Sequence, residues 1–348
     1  MSPGRLSPSR LRIDRVEAAD TAALARVADL FERQRAAETP ELAEVPERTY
    51  ADALRHPPPD SAYRCHLATD GGDALGVLWT YLPQKENRHY VEADLVVDPA
   101  HRRRGVGSAL LDLLLETARA EGRTEIVVLA RIAWQGGPAR PDDGPRFLER
   151  RGFTAALTEV DRSLDLAAID HAEEARLWAE ATEASGGYEV VSWTGRSPDR
   201  YVDGLARIDS RIFAEIPLGD VDLRPREVDA DFVRAREQSA EAKGDRLIRT
   251  IAVPAGTDEV AANTVIYARD DDPEAHQAIT IVDPDHRGHR LGLLVKLANL
   301  RLLRERFPET ARVWTGNADT NANMVDINDR LGFRPVDARV SYRRDLAA

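Results

Sequence analysis

One motif occurs twice, and its repetition limits the fold of this chain more than any other feature. Val97-Asp98-Pro99-Ala100-His101-Arg102-Arg103-Arg104-Gly105-Val106-Gly107-Ser108 returns as Val282-Asp283-Pro284-Asp285-His286-Arg287-Gly288-His289-Arg290-Leu291-Gly292-Leu293. Val282 follows Val97, and Gly292 follows Gly107, by the same 185 residues. Each copy stands after a short apolar run and before a long stretch with apolar residues at helical spacing. That order predicts strand, basic turn, helix. Such a turn aims backbone N–H groups and a helix N-terminus at one place, so each copy predicts an anion site.

The flanking pattern repeats too. Alternating Arg10–Val16 predicts a strand. Ala22–Arg35, with Leu24, Val27, Leu30 and Phe31 on one side, predicts a helix capped by Asp20 or Thr21. Tyr63–Thr69 and Ala74–Leu82 read as a hairpin around Asp70-Gly71-Gly72-Asp73, and Tyr90–Val97 as the strand entering the motif. After the motif come a helix to Glu121-Gly122, a buried strand Glu125–Arg131, a Gly- and Pro-rich loop Gln135–Pro145, a short helix Phe147–Arg151 and a closing strand Thr154–Leu166. The order then starts again with strand Tyr188–Trp193 and helix Ser197–Phe213. Strands Leu247–Val253, Val260–Tyr267 and Gln277–Val282 lead into the second motif, followed by helix Leu293–Arg306, strand Arg312–Thr315 and helix Asn321–Leu331. Gly332-Phe333 mirrors Gly152-Phe153. The 348 residues therefore divide into domains at 1–166 and 188–348, joined by a helical linker over 167–187.

Charge narrows the function. Lys and Arg total 48 against 60 Asp and Glu, a net charge of −12, which argues against a nucleic-acid partner. A single cysteine, Cys65, excludes an intramolecular disulfide and a thiolate cage, and the eight histidines show no metal-ligand spacing, so no metal is expected. No apolar run is long enough to cross a bilayer, and the first ten residues lack the apolar core of a secretory leader. A cytoplasmic protein without a membrane partner is the expectation.

The motif, followed by Phe147-Leu148-Glu149-Arg150-Arg151-Gly152-Phe153, resembles the GNAT family of N-acetyltransferases, whose loop reads (Gln/Arg)-x-x-Gly-x-(Gly/Ala). Arg102, Gly105 and Gly107 meet it. The tandem arrangement is similar to that of mycothiol-synthase-type acetyltransferases. The resemblance implies an α/β (α+β) chain of two tandem GNAT folds. Each would be a mixed, mostly antiparallel sheet, its central parallel strands splayed, flanked by helices. It further implies acetyl-CoA as co-substrate and a small-molecule amine as acceptor, with direct attack in a ternary complex. A monomer or homodimer is expected, since a tandem pair supplies within one chain a contact that single domains often obtain by dimerising.

The resemblance places the cofactor on Val97, Arg102, Arg103, Arg104, Gly105, Val106, Gly107 and Ser108. In the second copy it falls on Val282, Arg287, Gly288, His289, Arg290, Leu291 and Gly292, together with Asn321. The copies are unequal. Leu148 stands where the family has a proton-donating Tyr, and Pro141 where it has an Asn. In the second copy Asn328 holds the Tyr position, and Arg290 replaces the first loop glycine, where its side chain is expected to enter or reshape the phosphate turn. Proton removal from an attacking amine needs a base. Glu92 and Asp94 share one face of the strand before the first motif and are the candidates, while Gln277, in register with Glu92, cannot act as one. The first loop is therefore the expected working cofactor site. The competing reading is a catalytically degenerate acyl-CoA-binding or scaffold protein.

Overall fold

The computed structural model describes residues 11–346. Arg10, the first residue of the first expected strand, lies outside them. The first half runs β1 (Leu11–Val16), α1 (Thr21–Glu38), α2 (Glu47–Arg55), β2 (Ser61–Asp70), β3 (Asp73–Pro83), β4 (Tyr90–Val97), α3 (Val106–Ala120), β5 (Glu125–Ala133), α4 (Asp143–Glu149) and β6 (Thr154–Asp165). The connecting helix is α5 (His171–Ala184). The second half runs β7 (Tyr188–Thr194), α6 (Asp199–Ser210), α7 (Ile212–Glu215), α8 (Ala230–Ala242), β8 (Arg246–Pro254), β9 (Ala262–Arg269), β10 (Asp272–Val282), α9 (Leu291–Arg306), β11 (Arg312–Ala318), α10 (Ala322–Arg330) and β12 (Arg334–Asp345).

All twelve strands join one sheet in the order β1-β2-β3-β4-β5-β12-β6-β11-β10-β9-β8-β7. The pairs are antiparallel except β4 with β5 and β10 with β11. The closing strands are exchanged. β12, from the end of the chain, lies beside β5, from Asp337↔Ala133 to Asp345↔Glu125. β6 leaves its own half and lies beside β11, from Arg312↔Asp165 to Ala318↔Glu159. The two exchanged strands also pair with each other at the centre.

Each core consequently contains the other half's strand. Val340, Tyr342 and Leu346 pack with Leu110, Leu114 and Ile126 under α3, and Leu164 packs with Ile248, Leu303 and Phe333 in the second half. Burying side chains of this size contributes about 1.5–3 kcal/mol each, so neither core is complete without the exchange. Cutting the chain after Gly187 and expressing the pieces separately is expected to give two aggregating fragments. Co-expression should restore a soluble complex, with co-purification and a single thermal transition as the measurement.

Local signals position the helices. Asp20 caps α1 by accepting from the Ala23 N–H at 2.9 Å, and Leu24, Val27 and Leu30 are buried. Helix α9 is buried on every side over its first ten residues, Leu291 to Leu300, with Lys296 and Asn299 the polar exceptions in an apolar run. It lies between the sheet and α5, whose Leu177 and Ala181 cover it.

Candidate active site

Both motif turns are built alike. The Asp98 carboxylate accepts from the Ala100 N–H at 2.9 Å and pairs with Arg33 of α1 at 2.7 Å. Asp283 accepts from the Asp285 N–H at 3.2 Å and is held by Arg207 and by Arg211 at 2.7 Å. Burial acts to raise both carboxyls, but these arginines and N–H donors outweigh it and hold them below the usual carboxylate range.

The backbone then takes two left-handed steps in each copy. Arg103 has φ 65° and Gly105 φ 96°, while Gly288 has φ 89° and Arg290 φ 52°. Each copy thus spends its glycine at a different one of two equivalent positions and puts arginine at the other. Arg290 therefore keeps the turn rather than reshaping it, and its side chain, which still borders the loop, pairs with Glu180 of α5, which also holds Arg330 at 2.7 Å. A non-glycine residue in this region carries about 1 kcal/mol of strain, which that pairing offsets in part.

The second loop opens on a cavity of about 480 Å³. Val282, Arg287, Gly288, Arg290, Gly292 and Asn321 line it, as does Leu291. His289 instead lies against the Tyr188 ring, centroids 5.2 Å apart. Asn321 caps α10 by accepting from the Met324 N–H at 3.2 Å. Behind the cavity, buried Lys296 donates to Asn328 Oδ1 at 2.7 Å, Asn328 donates to Asn317 Oδ1 at 3.0 Å, and Asn317 to the Ala318 carbonyl at 2.8 Å. Sequence reasoning passed over Lys296, although a lone charge inside the run Leu293–Leu297 was its signal.

The first loop is tied to its surroundings differently. Arg102 pairs with Glu38 of α1 and, at 3.5 Å, with Asp143 of α4. Ser108 Oγ accepts from Arg151 at 2.5 Å. Val106 is buried, and Val97 and Phe147 pack on the same core, within reach of a Cβ added at Gly107. Exposed Arg103, Arg104 beside it and Gly105 form the open part of the turn, and nothing lies within 4 Å of the space beside Gly105. There a phosphate can approach the backbone.

Parallel pairing of β4 with β5 ends at Ala93↔Val128. Asp94 is therefore the first residue beyond the point where the strands part. Alternation puts Val91, Ala93, Leu95 and Val97 under α3 and turns Glu92 and Asp94 to the opposite face. Glu92 is half-buried and accepts from the Tyr90 hydroxyl at 2.7 Å. Asp94 is reached by solvent, yet protein packed around it disfavours its charge. Desolvation raises both carboxyls. The Tyr90 hydrogen bond opposes this at Glu92, Asp94 adds to it, and Arg339 opposes it at both residues. Arg339 belongs to exchanged β12 and holds Asp161 of β6 at 3.0 Å, so the floor of this cleft is composed by both halves.

The roof also comes from the second half. The segment at 216–229 crosses the first half, held by reciprocal hydrogen bonds between Asn87 and Arg224 (3.0 and 2.8 Å), by the Asp222 N–H on Glu125 (3.0 Å) and by Arg343 on the Asp220 carbonyl (2.7 Å). Gly219 makes the crossing possible, because a Cβ there would lie 2.0 Å from the Ala156 oxygen. His89, Glu125 and Asp222 gather their polar atoms within 4.8 Å, and Arg343 is 3.1 Å from Glu125, so this group works as a clasp for the roof. Under it a cavity of about 90 Å³ is lined by Tyr81, Tyr90, Glu92, Phe213, Leu223 and Arg226. In the second half, pairing of β10 with β11 ends at His276↔Trp314, and Gln277 beyond it is buried, donating to Thr264 Oγ1 at 2.9 Å and the Val265 carbonyl at 2.8 Å.

Comparison with known proteins agrees with this geometry. Residues 25–139 match the family model described as the acetyltransferase (GNAT) family. A mycothiol acetyltransferase of Clavibacter sepedonicus is 30% identical over 264 residues, 73% of each chain. Another, from Stackebrandtia nassauensis, is 25% identical over 353 residues, covering 97% of this chain and 100% of its own. Among solved structures, a tandem GNAT protein from the clavulanic acid biosynthesis pathway superposes with a TM-score of 0.81 at 28% identity, covering 97% of this chain and 99% of that one. The chain belongs to the GNAT family of acetyltransferases. It is an N-acetyltransferase of the tandem kind, in a family that takes its acetyl group from acetyl-CoA. No described helix is long and apolar enough to cross a membrane.

Proposed function

We propose that this protein transfers the acetyl group of acetyl-CoA to the amine of a small molecule by direct attack in a ternary complex, and that the first half performs the chemistry. The observation that carries the assignment is the pair Glu92 and Asp94 at the parting of β4 and β5, with both carboxyls raised. A bound acetyl-CoA supplies an activated thioester carbonyl. Backbone N–H groups of the turn around Gly105 and the start of α3 hold its phosphates, with Arg103 and Arg104 beside them. Glu92 takes the proton of the incoming ammonium. Tyr90 fixes the orientation of that carboxylate, and the roof excludes water. The relatives are named for a small molecule, mycothiol, which supports a small-molecule acceptor here.

The second half is read as a pocket that binds acyl-CoA without turnover. Its cavity is large and lined by the second loop, but buried Gln277 offers no base. Calorimetry with acetyl-CoA is expected to give two sites per chain. Gly105→Val forces a β-branched residue into the left-handed region and should remove one site together with amine-dependent thiol release. Arg287→Glu, on an exposed side chain, should remove the other site and leave thiol release within a few-fold. The reverse pattern would transfer the chemistry to the second half, and binding without thiol release for any amine would leave a scaffold.

A further inference from the structure

Arg226 has a guanidinium with no visible employment. Its neighbours along the chain are all engaged. Arg224 pairs with Asp222 at 3.1 Å, Arg234 with Glu237 at 2.7 Å, and Arg236 with Asp209. Among the described residues Arg226 has neither an ion pair nor a hydrogen bond. It lies instead near two phenyl rings, 5.6 Å from the Phe213 centroid and 4.7 Å from that of Phe232. It lines the same small cavity as Glu92, with Tyr81 between their influences. Two acids act on it, and both are engaged elsewhere: Asp209 with Arg236, and Glu86 with Lys85 at 3.5 Å. Burial works against the charge, with Arg236 adding to that effect, but a guanidinium does not give up its proton in a protein. An unpaired, partly desolvated cation is expensive unless something supplies the counter-charge.

We infer that the acceptor supplies it: the substrate carries an anionic group close to its amine, as the α-carboxylate of an amino acid is, and Arg226 binds that group while Glu92 receives the proton of the amine. This rests on the first half being the catalytic one. The two rings hold the guanidinium at the cavity, and its planar fork suits the two-pronged hydrogen bonding of a carboxylate. The cavity is small, about 90 Å³, and both residues line it, so the group that meets Arg226 is expected to lie close to the amine that meets Glu92. Glu92 and Arg226 give the cavity one group for each charge of a zwitterion, while the carboxylates of Asp60 and Glu86, also in its lining, add to the attraction for the amine.

The test compares thiol release from acetyl-CoA with each common amino acid and with its α-amide. The amino acid that turns over fastest is expected to exceed its amide in kcat/KM by roughly 100-fold, the size of a charge-assisted hydrogen bond. Arg226→Met should bring that ratio close to one and Arg226→Lys should restore part of it. A purely structural role would lower both rates together and leave the ratio unchanged. Equal rates for acid and amide in the native enzyme, or a ratio that survives Arg226→Met, would overturn the inference while the catalytic reading stands. Turnover of no amine at all would overturn the catalytic reading and this inference with it.

Discussion

Glu92→Gln is expected to lower kcat/KM for the acceptor by about 10²–10⁴-fold, the range for removing a positioned base, with acetyl-CoA affinity unchanged within a few-fold. The substitution makes the first half resemble the second, where Gln277 already occupies this register. The pH profile carries the sharper signature. Glu92 must be ionised to accept a proton, so the rate rises with pH through its pKa, which burial has moved upward. The Asp94 charge raises it further and Arg339 lowers it. Asp94→Asn should therefore shift the acidic limb to lower pH, and Arg339→Met should shift it to higher pH. If Asp94→Asn abolished the limb while Glu92→Gln retained it, Asp94 would be the base and Glu92 its modulator.

The largest effect on stability is expected at Lys296. Its ammonium is buried with Asn328 Oδ1 at 2.7 Å and the Phe333 ring 5.1 Å away, and no ion pair involving it exists among the described residues. Burial lowers its pKa from 10.5 to about 7. Between those values the unfolded chain holds a proton that the folded chain has released, so stability rises with pH over that window and falls as pH drops towards 7. The slope is about 1.4 kcal/mol per pH unit. Lys296→Met should remove this contribution to the slope and stabilise the protein near pH 7. About 4 kcal/mol is recovered from the ionisation, and about 1–2 kcal/mol is lost by leaving Asn328 Oδ1 without a donor. Urea titrations of both proteins at pH 7 and pH 9 measure this. A mutant less stable than the native chain at both values would mean that the hydrogen bond through Asn328 outweighs the cost of burial.

What the sequence revealed follows from how locally each feature is encoded. Strand–turn–helix units around both motifs were legible because apolar spacing changes period at Val97 and again at Val282. Helices α2 and α8 were not: Ala51 alone is buried in α2, and in α8 one of the four buried positions, Glu237, carries a charge that masks the apolar spacing. The equivalence of the two motif turns was hidden by a glycine code. Arg290 looked like a defect because glycine marks left-handed backbone, yet Arg103 adopts the same conformation unannounced in the other copy. Strand exchange leaves no local trace at all. Thr154–Asp165 would alternate the same way beside β5 as beside β11, so only the assembled sheet distinguishes the partners. Arg226 was equally silent, because an unpaired cation is defined by absent neighbours rather than by its own identity.

The exchange sets a timetable for synthesis. The β5 edge leaves the ribosome with no neighbour on one side and receives one only when β12 emerges, about 200 residues later. At 5–20 residues per second the first cleft waits roughly 10–40 s. During that interval Arg339 is missing from its floor and the first core lacks Val340, Tyr342 and Leu346. A chain that ends early therefore exposes an unpaired apolar strand, a feature that favours aggregation and removal by proteases. Because β12 completes the first half, the cleft there cannot assemble before Arg334–Asp345 has been made.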